Sequence, residues 1–364
     1  PDPQHGATVI RTDAAEAQLT ICDSSEEGDG TIDARGASDY TVPVGTYGGE
    51  IIIEGGTIIV DTPRESCVYS WKGGKITITG GTLINESQDE YAYGNGGAPL
   101  TVNVSNSGSY EDVTITGGTF IGRNPAQGDD NMGGYFIDEN AAVGYDADGY
   151  NGTGEFTVYE SEQAAIDAGA DAVYTVANSG SAEAATVVTV YKAAGIADAL
   201  AGTYSVIRLG ADLKLSESIV IDRALTLDLN GNTITYSGSA GTYAVEIRAD
   251  GAMLTGSNGS AIVAEYGNGI LVQLSISGEE GVTINGISVT ANADGARGIQ
   301  ATGAGSVTLS GVSVTVKGAV GSLSAGVGIS NGANMEITDG SIIYLTGAGN
   351  AVEVRSQEGG VSSL

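Results

Sequence analysis

The stretch Ile76-Thr-Ile-Thr-Gly-Gly-Thr-Leu-Ile84 has two counterparts, Ile51-Ile-Ile-Glu-Gly-Gly-Thr-Ile-Ile59 before it and Val113-Thr-Ile-Thr-Gly-Gly-Thr-Phe-Ile121 after it. In each copy a short alternating run meets a glycine pair and a second run begins. Alternation of Val or Ile with Thr, Ser or Glu is the period of a strand with one face buried. A glycine pair between two such runs supplies the backbone freedom that a sharp corner requires. The pairs stand at 55/56, 80/81 and 117/118, so the spacings are 25 and 37. The wider interval holds a polar, Tyr- and Gly-rich stretch from 86 to 110, which reads as an inserted loop.

A related template with one corner glycine occupies the second half. Its copies are Val282-Thr-Ile-Asn-Gly-Ile-Ser-Val289, Val307-Thr-Leu-Ser-Gly-Val-Ser-Val314 and Met335-Glu-Ile-Thr-Asp-Gly-Ser-Ile-Ile343. A second strand family runs in phase with it: Ala244-Val-Glu-Ile247, Gly269-Ile-Leu-Val272, Gly298-Ile-Gln-Ala301, Gly328-Ile-Ser330 and Ala351-Val-Glu-Val354. Two strand families repeating together describe one turn of a coil. A single coil cannot bury its apolar edge, but stacked coils share a core and pair their strands at about 4.8 Å. A propeller blade would need about 40 residues, longer than this period. The expected fold is therefore all-β: a right-handed parallel β-helix, or β-solenoid.

Two features interrupt the repeats. Residues 130 to 190 lack the strand-Gly-strand unit and carry a helical patch at Ser161-Glu-Gln-Ala-Ala-Ile-Asp-Ala168, with Ser161 placed as its N-cap. A second patch, 193 to 200, precedes Val206-Ile-Arg-Leu209, where the repeats resume. A helix there would cover the open edge of the coil stack. The expected organisation is a first β-helix segment over 1–125, a connector with a short helix over 126–190, and a second β-helix with a helical N-terminal cap over 191–364.

Composition agrees. The 364 residues include 58 Gly but only 3 Phe, 3 Met and 1 Trp, a poor stock for a helical core. Asp and Glu number 45 against 14 Lys and Arg, a net charge of -31. Such a field repels phosphate backbones and anionic membranes, which argues against nucleic-acid partners. No apolar run is long enough to span a bilayer. With His5 as the single histidine, a structural zinc site lacks ligands. Cys22 and Cys67 stand under two coils apart and are either a disulfide or two buried free thiols. The start at Pro1, without Met or a signal peptide, is expected of a processed or excised piece.

Several of these motifs are familiar together. The segments Leu225-Thr-Leu-Asp-Leu-Asn-Gly-Asn-Thr-Ile234, Ile115-Thr-Gly-Gly-Thr-Phe120, Gly133-Gly-Tyr-Phe136, Asp148-Gly-Tyr150 and Phe156-Thr-Val-Tyr159 resemble large repetitive cell-surface proteins of gut Firmicutes and related bacteria. Those proteins contain pectate-lyase-like adhesive β-helix domains, in which a coil domain passes through a Gly-Gly-x-Phe connector and a short helix into a new coil. The same order holds here from Gly117 to Ile234. The resemblance covers most of the chain and implies display at the cell surface or wall, adhesion, and a place within a longer tandem array. Its motifs are structural and name no ligand.

Catalysis has to be weighed separately, because β-helices also carry polysaccharide lyases and hydrolases. A lyase would need carboxylates and a basic residue on one coil face, but Arg208, Arg223, Arg248, Arg297, Lys317 and Arg355 show no common coil phase. Arg223 and Arg248, beside Asp222 and Glu246, are placed to meet on adjacent coils. The densest acidic set is Asp129, Asp130, Asp138, Glu139, Asp146 and Asp148, in the connector with Tyr135, Tyr145 and Tyr150. It is a candidate sugar or calcium site or else a solvated loop, and it lacks EF-hand spacing. Tyr91, Tyr93 and Tyr110, with Asn95, Asn103 and Asn106, mark the inserted loop as a second candidate contact surface. Thr77-x-Thr79 and Thr114-x-Thr116 suggest an ice-binding ladder, which fails at Ile52-x-Glu54 and again at Glu336-x-Thr338. Asn85, Asn103, Asn151 and Asn258 fit the glycosylation sequon.

The expected function is a non-catalytic, extracellular stalk or adhesin segment, with calcium as the one candidate cofactor. Its expected partners are a host or microbial glycan or a surface protein. The alternatives are a carbohydrate-active β-helix enzyme and a phage tail-spike, which would trimerise through its coil faces.

Overall fold

The computed structural model describes residues 8–25, 28–37, 40–71, 73–90, 92, 98–104, 112–126, 136–138, 140–175, 187–202, 204–274, 280–317, 324–346, 348–355 and 362–364. The fold is a β-solenoid of about 10 turns with parallel stacked strands. It divides into two compact units, 1–186 and 187–364.

In the first unit each coil contributes three short strands, one to each of three parallel sheets. The second coil has Val42–Thr46, Glu50–Ile53 and Thr57–Val60. The glycine-pair template spans its second and third faces, and the copies pair in register as Ile51↔Ile76↔Val113 and Ile53↔Ile78↔Ile115. These inward residues and Ile58, Leu83 and Phe120 are buried, so the stacked aliphatics form the core.

The two glycines of each corner do different jobs. Gly56, Gly81 and Gly118 have φ of 82, 84 and 100°, a region that side chains avoid. Gly80 and Gly117 are needed for close approach instead. A Cβ on Gly80 would lie 2.4 Å from the carbonyl oxygen of Glu54, and one on Gly117 2.3 Å from that of Thr79.

The interval 86–110 is not wholly an insertion. Val102–Val104 is a buried strand paired with Val68–Ser70, so part of this stretch belongs to the fourth coil. Alternation over three residues is too short a signal to separate a strand from a polar loop.

The expected connector also contains more strand than its sequence suggests. Ala142–Asp146, Glu155–Tyr159 and Ala172–Thr175 form an antiparallel group, and Glu155–Tyr159 also pairs antiparallel with Thr119–Ile121. Parallel stacking on the third face therefore ends there, with the strand edge covered. The helix Glu162–Asp167 lies against this group, and Ser161 Oγ accepts from the Ala164 N–H at 3.2 Å, as the N-cap reading requires.

The second unit opens with Val187–Val190 and the helix Gly195–Ala201, which lies against that strand and against Ile219–Ile221. Six coils follow from Val206, again with three sheets. One inward column runs Leu213, Ile234, Ile262, Val289, Val314, Ile343. In the Leu225–Ile234 motif the asparagines are structural. Asn230 and Asn232 donate to the Leu209 carbonyl of the preceding coil at 3.2 and 2.9 Å, and Asn230 takes the left-handed conformation.

On the third face the strands are Ile219–Ile221, Tyr243–Ile247, Asn268–Leu274, Arg297–Gly303, Ala325–Ser330 and Asn350–Arg355. Their register corrects the alignment of Gly328 with Gly298. Gly326 is the counterpart of Gly298, because Ile299 pairs with Val327 and Gln300 with Gly328. A shift of two residues keeps every side chain on its own face, so alternation cannot detect it.

Candidate functional site

The sites suggested by sequence do not come together as a binding centre among the described residues. Tyr145 packs its ring on Phe156, centroids 5.0 Å apart, and its side chain fills the space a Cβ on Gly154 would need. Tyr150 donates its hydroxyl to Glu86 at 2.5 Å, which pushes its pKa up to about 12. Asp138 Oδ1 accepts from the N–H of Asn140, and Asp146 Oδ1 from that of Asp148, so both serve their own turns. Asp148 sits at the N-cap of the turn 149–152 without a side-chain cap bond. No group of three or more His, Cys, Asp or Glu placed to hold a metal ion occurs among the described residues. Tyr91, Tyr93, Asn95, Tyr110, Tyr135, Asp129, Asp130 and Glu139 lie outside the described residues.

Three further expectations change. Cys22 and Cys67 are both free thiols rather than a disulfide. Cys22 is exposed, whereas Cys67 is buried. Burial pushes the Cys67 thiol pKa up, and its Sγ donates to the Ile84 carbonyl at 3.2 Å. Asn85 is no glycan acceptor: it is buried, and its Nδ2 donates to the carbonyls of Thr62 and Leu100 at 2.9 Å. Asn103 is buried as well. Arg223 and Arg248 do not share partners; Arg223 donates to the Tyr204 carbonyl, while Arg248 pairs with Glu246 at 2.5 Å.

Besides its strand pairing, the connector is tied to the coils by a polar clasp. Arg35 forks between Asp33 at 2.7 Å and Glu86 at 3.1 Å, and Tyr150 closes on Glu86 from the connector side. Hydrogen bonds from Arg35 hold Asp33 down at about 2, and the Tyr150 hydroxyl is the main cause lowering Glu86.

A concavity with several charged groups lies on the outward side of the third face of the second unit. It is an open groove of about 610 Å³, lined chiefly by Tyr243, Arg297, Gln300, Ser330, Glu353 and Arg355. Strand register builds it. Glu246, Leu271, Gln300, Gly328 and Glu353 form one outward column, and Gln273, Thr302, Ser330 and Arg355 form the next but one. Gly328 leaves a notch in the first column. A Cβ there would lie 2.2 Å from Gln300 Oε1 and 2.9 Å from Arg297 Nη1.

Around the notch two arginines share one carboxylate. Arg355 Nη2 stands 2.6 Å from Glu353 Oε1, and Arg297 Nη1 stands 3.2 Å from Glu353 Oε2. The second contact is at ion-pair distance but off hydrogen-bond alignment, which leaves the buried Oε2 with a charge partner and no directed donor. Arg297 also donates to Gln300 Oε1, and Gln300 Nε2 to Ser330 Oγ at 3.2 Å. Asn331 donates to Thr302 at 2.9 Å on the rim.

Sequence reading missed this group by treating the basic residues singly. The signal was a duplication: Ala244-Val-Glu-Ile-Arg248 and Ala351-Val-Glu-Val-Arg355 share a Glu-x-Arg. Arg248, one residue beyond the Ile247–Val272 pair, lies level with Gln273 and so in the column of Arg355. The two basic residues thus do share a coil phase.

Compared with known proteins, the chain matches no family model, no curated protein and no solved structure.

Proposed function

We propose that this chain is a non-catalytic segment of an extracellular, cell-surface protein, a β-solenoid stalk that presents its outward faces for adhesion to a glycan or a surface protein. The observation that carries this reading is the groove over Gly328. It is broad and open, its lining mixes polar with apolar surface, and its charged groups are tied to one another. An acid–base pair for hydrolysis or elimination needs a group free to exchange a proton with the substrate. Here Glu353 has an arginine against each oxygen, an arrangement that favours holding a ligand over turning it over. The repeat construction adds the second requirement of a stalk, since a solenoid lengthens by adding coils without altering its core.

A glycan-array screen with turnover assayed on every hit tests the proposal, run with calcium and with chelator. Binding without product is the expected result. Product formation would replace this reading with that of a carbohydrate-active enzyme, and loss of binding in chelator would bring calcium back to the acidic connector.

A further inference from the structure

We infer that the Arg297–Glu353–Arg355 triad over Gly328 is an anion-receiving subsite, and that its ligand is an acidic saccharide bearing carboxylate or sulfate groups. This deepens the adhesive reading and rests on it. Two guanidiniums against one carboxylate leave the triad with an excess positive charge, on a chain whose net charge is -31. The rest of the molecule repels anions, so a local positive site selects where an anion settles. Among the described residues the Arg355 guanidinium makes one hydrogen bond, to Glu353, and the side chain is 50% exposed. Most of its five donors therefore remain for a ligand, and a guanidinium fork matches a carboxylate or sulfate edge. Arg297 is held in place by Gln300 and Glu353, so little side-chain freedom is lost on binding.

The hydroxyl, amide and aromatic groups of the lining favour a saccharide over an acidic peptide. Peptides dock on sheets by adding a strand to a free edge or by filling apolar pockets. The strands Asn268–Leu274, Arg297–Gly303 and Ala325–Ser330 are paired on both sides and offer no edge, whereas Asn350–Arg355 ends the sheet among the described residues, so a peptide adding there is the competing outcome of the test. The lining has Leu271 and Ile329 as its aliphatic members. The remainder is Tyr243, Gln300, Thr302, Ser330 and Asn331 beside the charges. An aromatic ring with amides and hydroxyls is suited to a polyhydroxylated chain. The groove also crosses several coils, so a ligand laid along it meets a fresh set of polar groups about every 4.8 Å.

The experiment is calorimetric titration of the full 364-residue chain with chondroitin sulfate oligosaccharides, with their desulfated form, with a neutral chitin oligosaccharide of the same length, and with a polyglutamate peptide. The expected result is binding of one or both acidic saccharides that weakens as salt is raised. Arg355→Gln, a change at a half-exposed surface position, should weaken it about tenfold or more. Lys214→Gln removes the same charge from a different face and should leave binding unchanged. Desulfated material binding as well as sulfated assigns the contact to carboxylate; loss on desulfation assigns it to sulfate. Equal binding of the neutral oligosaccharide, an Arg355→Gln affinity equal to the parent's, preference for polyglutamate, or no binding of either acidic saccharide would each overturn the inference. Neutral glycans bound without turnover on the array would still leave the adhesive reading standing, so the two can fail separately.

Discussion

A glycine can be required for its torsion or for its lack of volume, and this chain uses both. Gly36 has φ of +69°, and a Cβ added to it would meet nothing within 4 Å, so Gly36→Ala carries a conformational cost alone, about 1 kcal/mol. Gly80 is different: a methyl there would sit 2.4 Å from the Glu54 carbonyl oxygen, forcing adjacent coils apart. Gly80→Ala should therefore destabilise the first unit more, by about 2–3 kcal/mol. Urea midpoints of the two variants decide it, and equal shifts would refute the close-approach role. The glycine pair is conspicuous in sequence, but which member serves which role depends on the neighbouring coil.

Between elements, a polar clasp links the coils of the first unit to the connector. Asp33, Arg35 and Glu86 come from the coils and Tyr150 from the connector. Both carboxylates titrate below their ordinary values, Asp33 at about 2. A depressed carboxylate pKa stabilises the folded state fully above its unfolded value, and that stability is lost as pH falls through the folded one. The clasp should hold at neutral pH and loosen as pH drops from about 4 towards 2. In Arg35→Gln, the Asp33 carboxyl followed by NMR should titrate closer to the ordinary carboxylate range. An unmoved titration would show that Arg35 does not set it. Asp33 meets Arg35 only two residues on, but the two partners of Glu86 are 51 and 64 residues away in the chain, a separation no local pattern encodes.

At the scale of the molecule, each coil rests on its neighbours, so stability is distributed along the stack. Residues 187–364 form a compact unit with their own aliphatic columns and a helix at their start. Produced alone, this fragment should show a β-sheet spectrum and a cooperative thermal transition. A fragment that stays unfolded would show that its core is incomplete without residues 1–186.

The amino-acid sequence by itself determined the solenoid, because strand alternation, corner glycines and a recurring coil length are local properties that survive in a linear reading. It also marked the Ser161 helix, whose cap lies within one turn. The tertiary structure alone decided the antiparallel strands that close the first unit, whose short alternation carries no information about direction or partner. It decided that Cys22 and Cys67 remain separate, since chain separation does not fix which face of a coil each occupies. It decided the groove as well. Arg297, Gly328 and Glu353 become neighbours through inter-strand register, and a register shift of two residues is invisible to a pattern whose period is two.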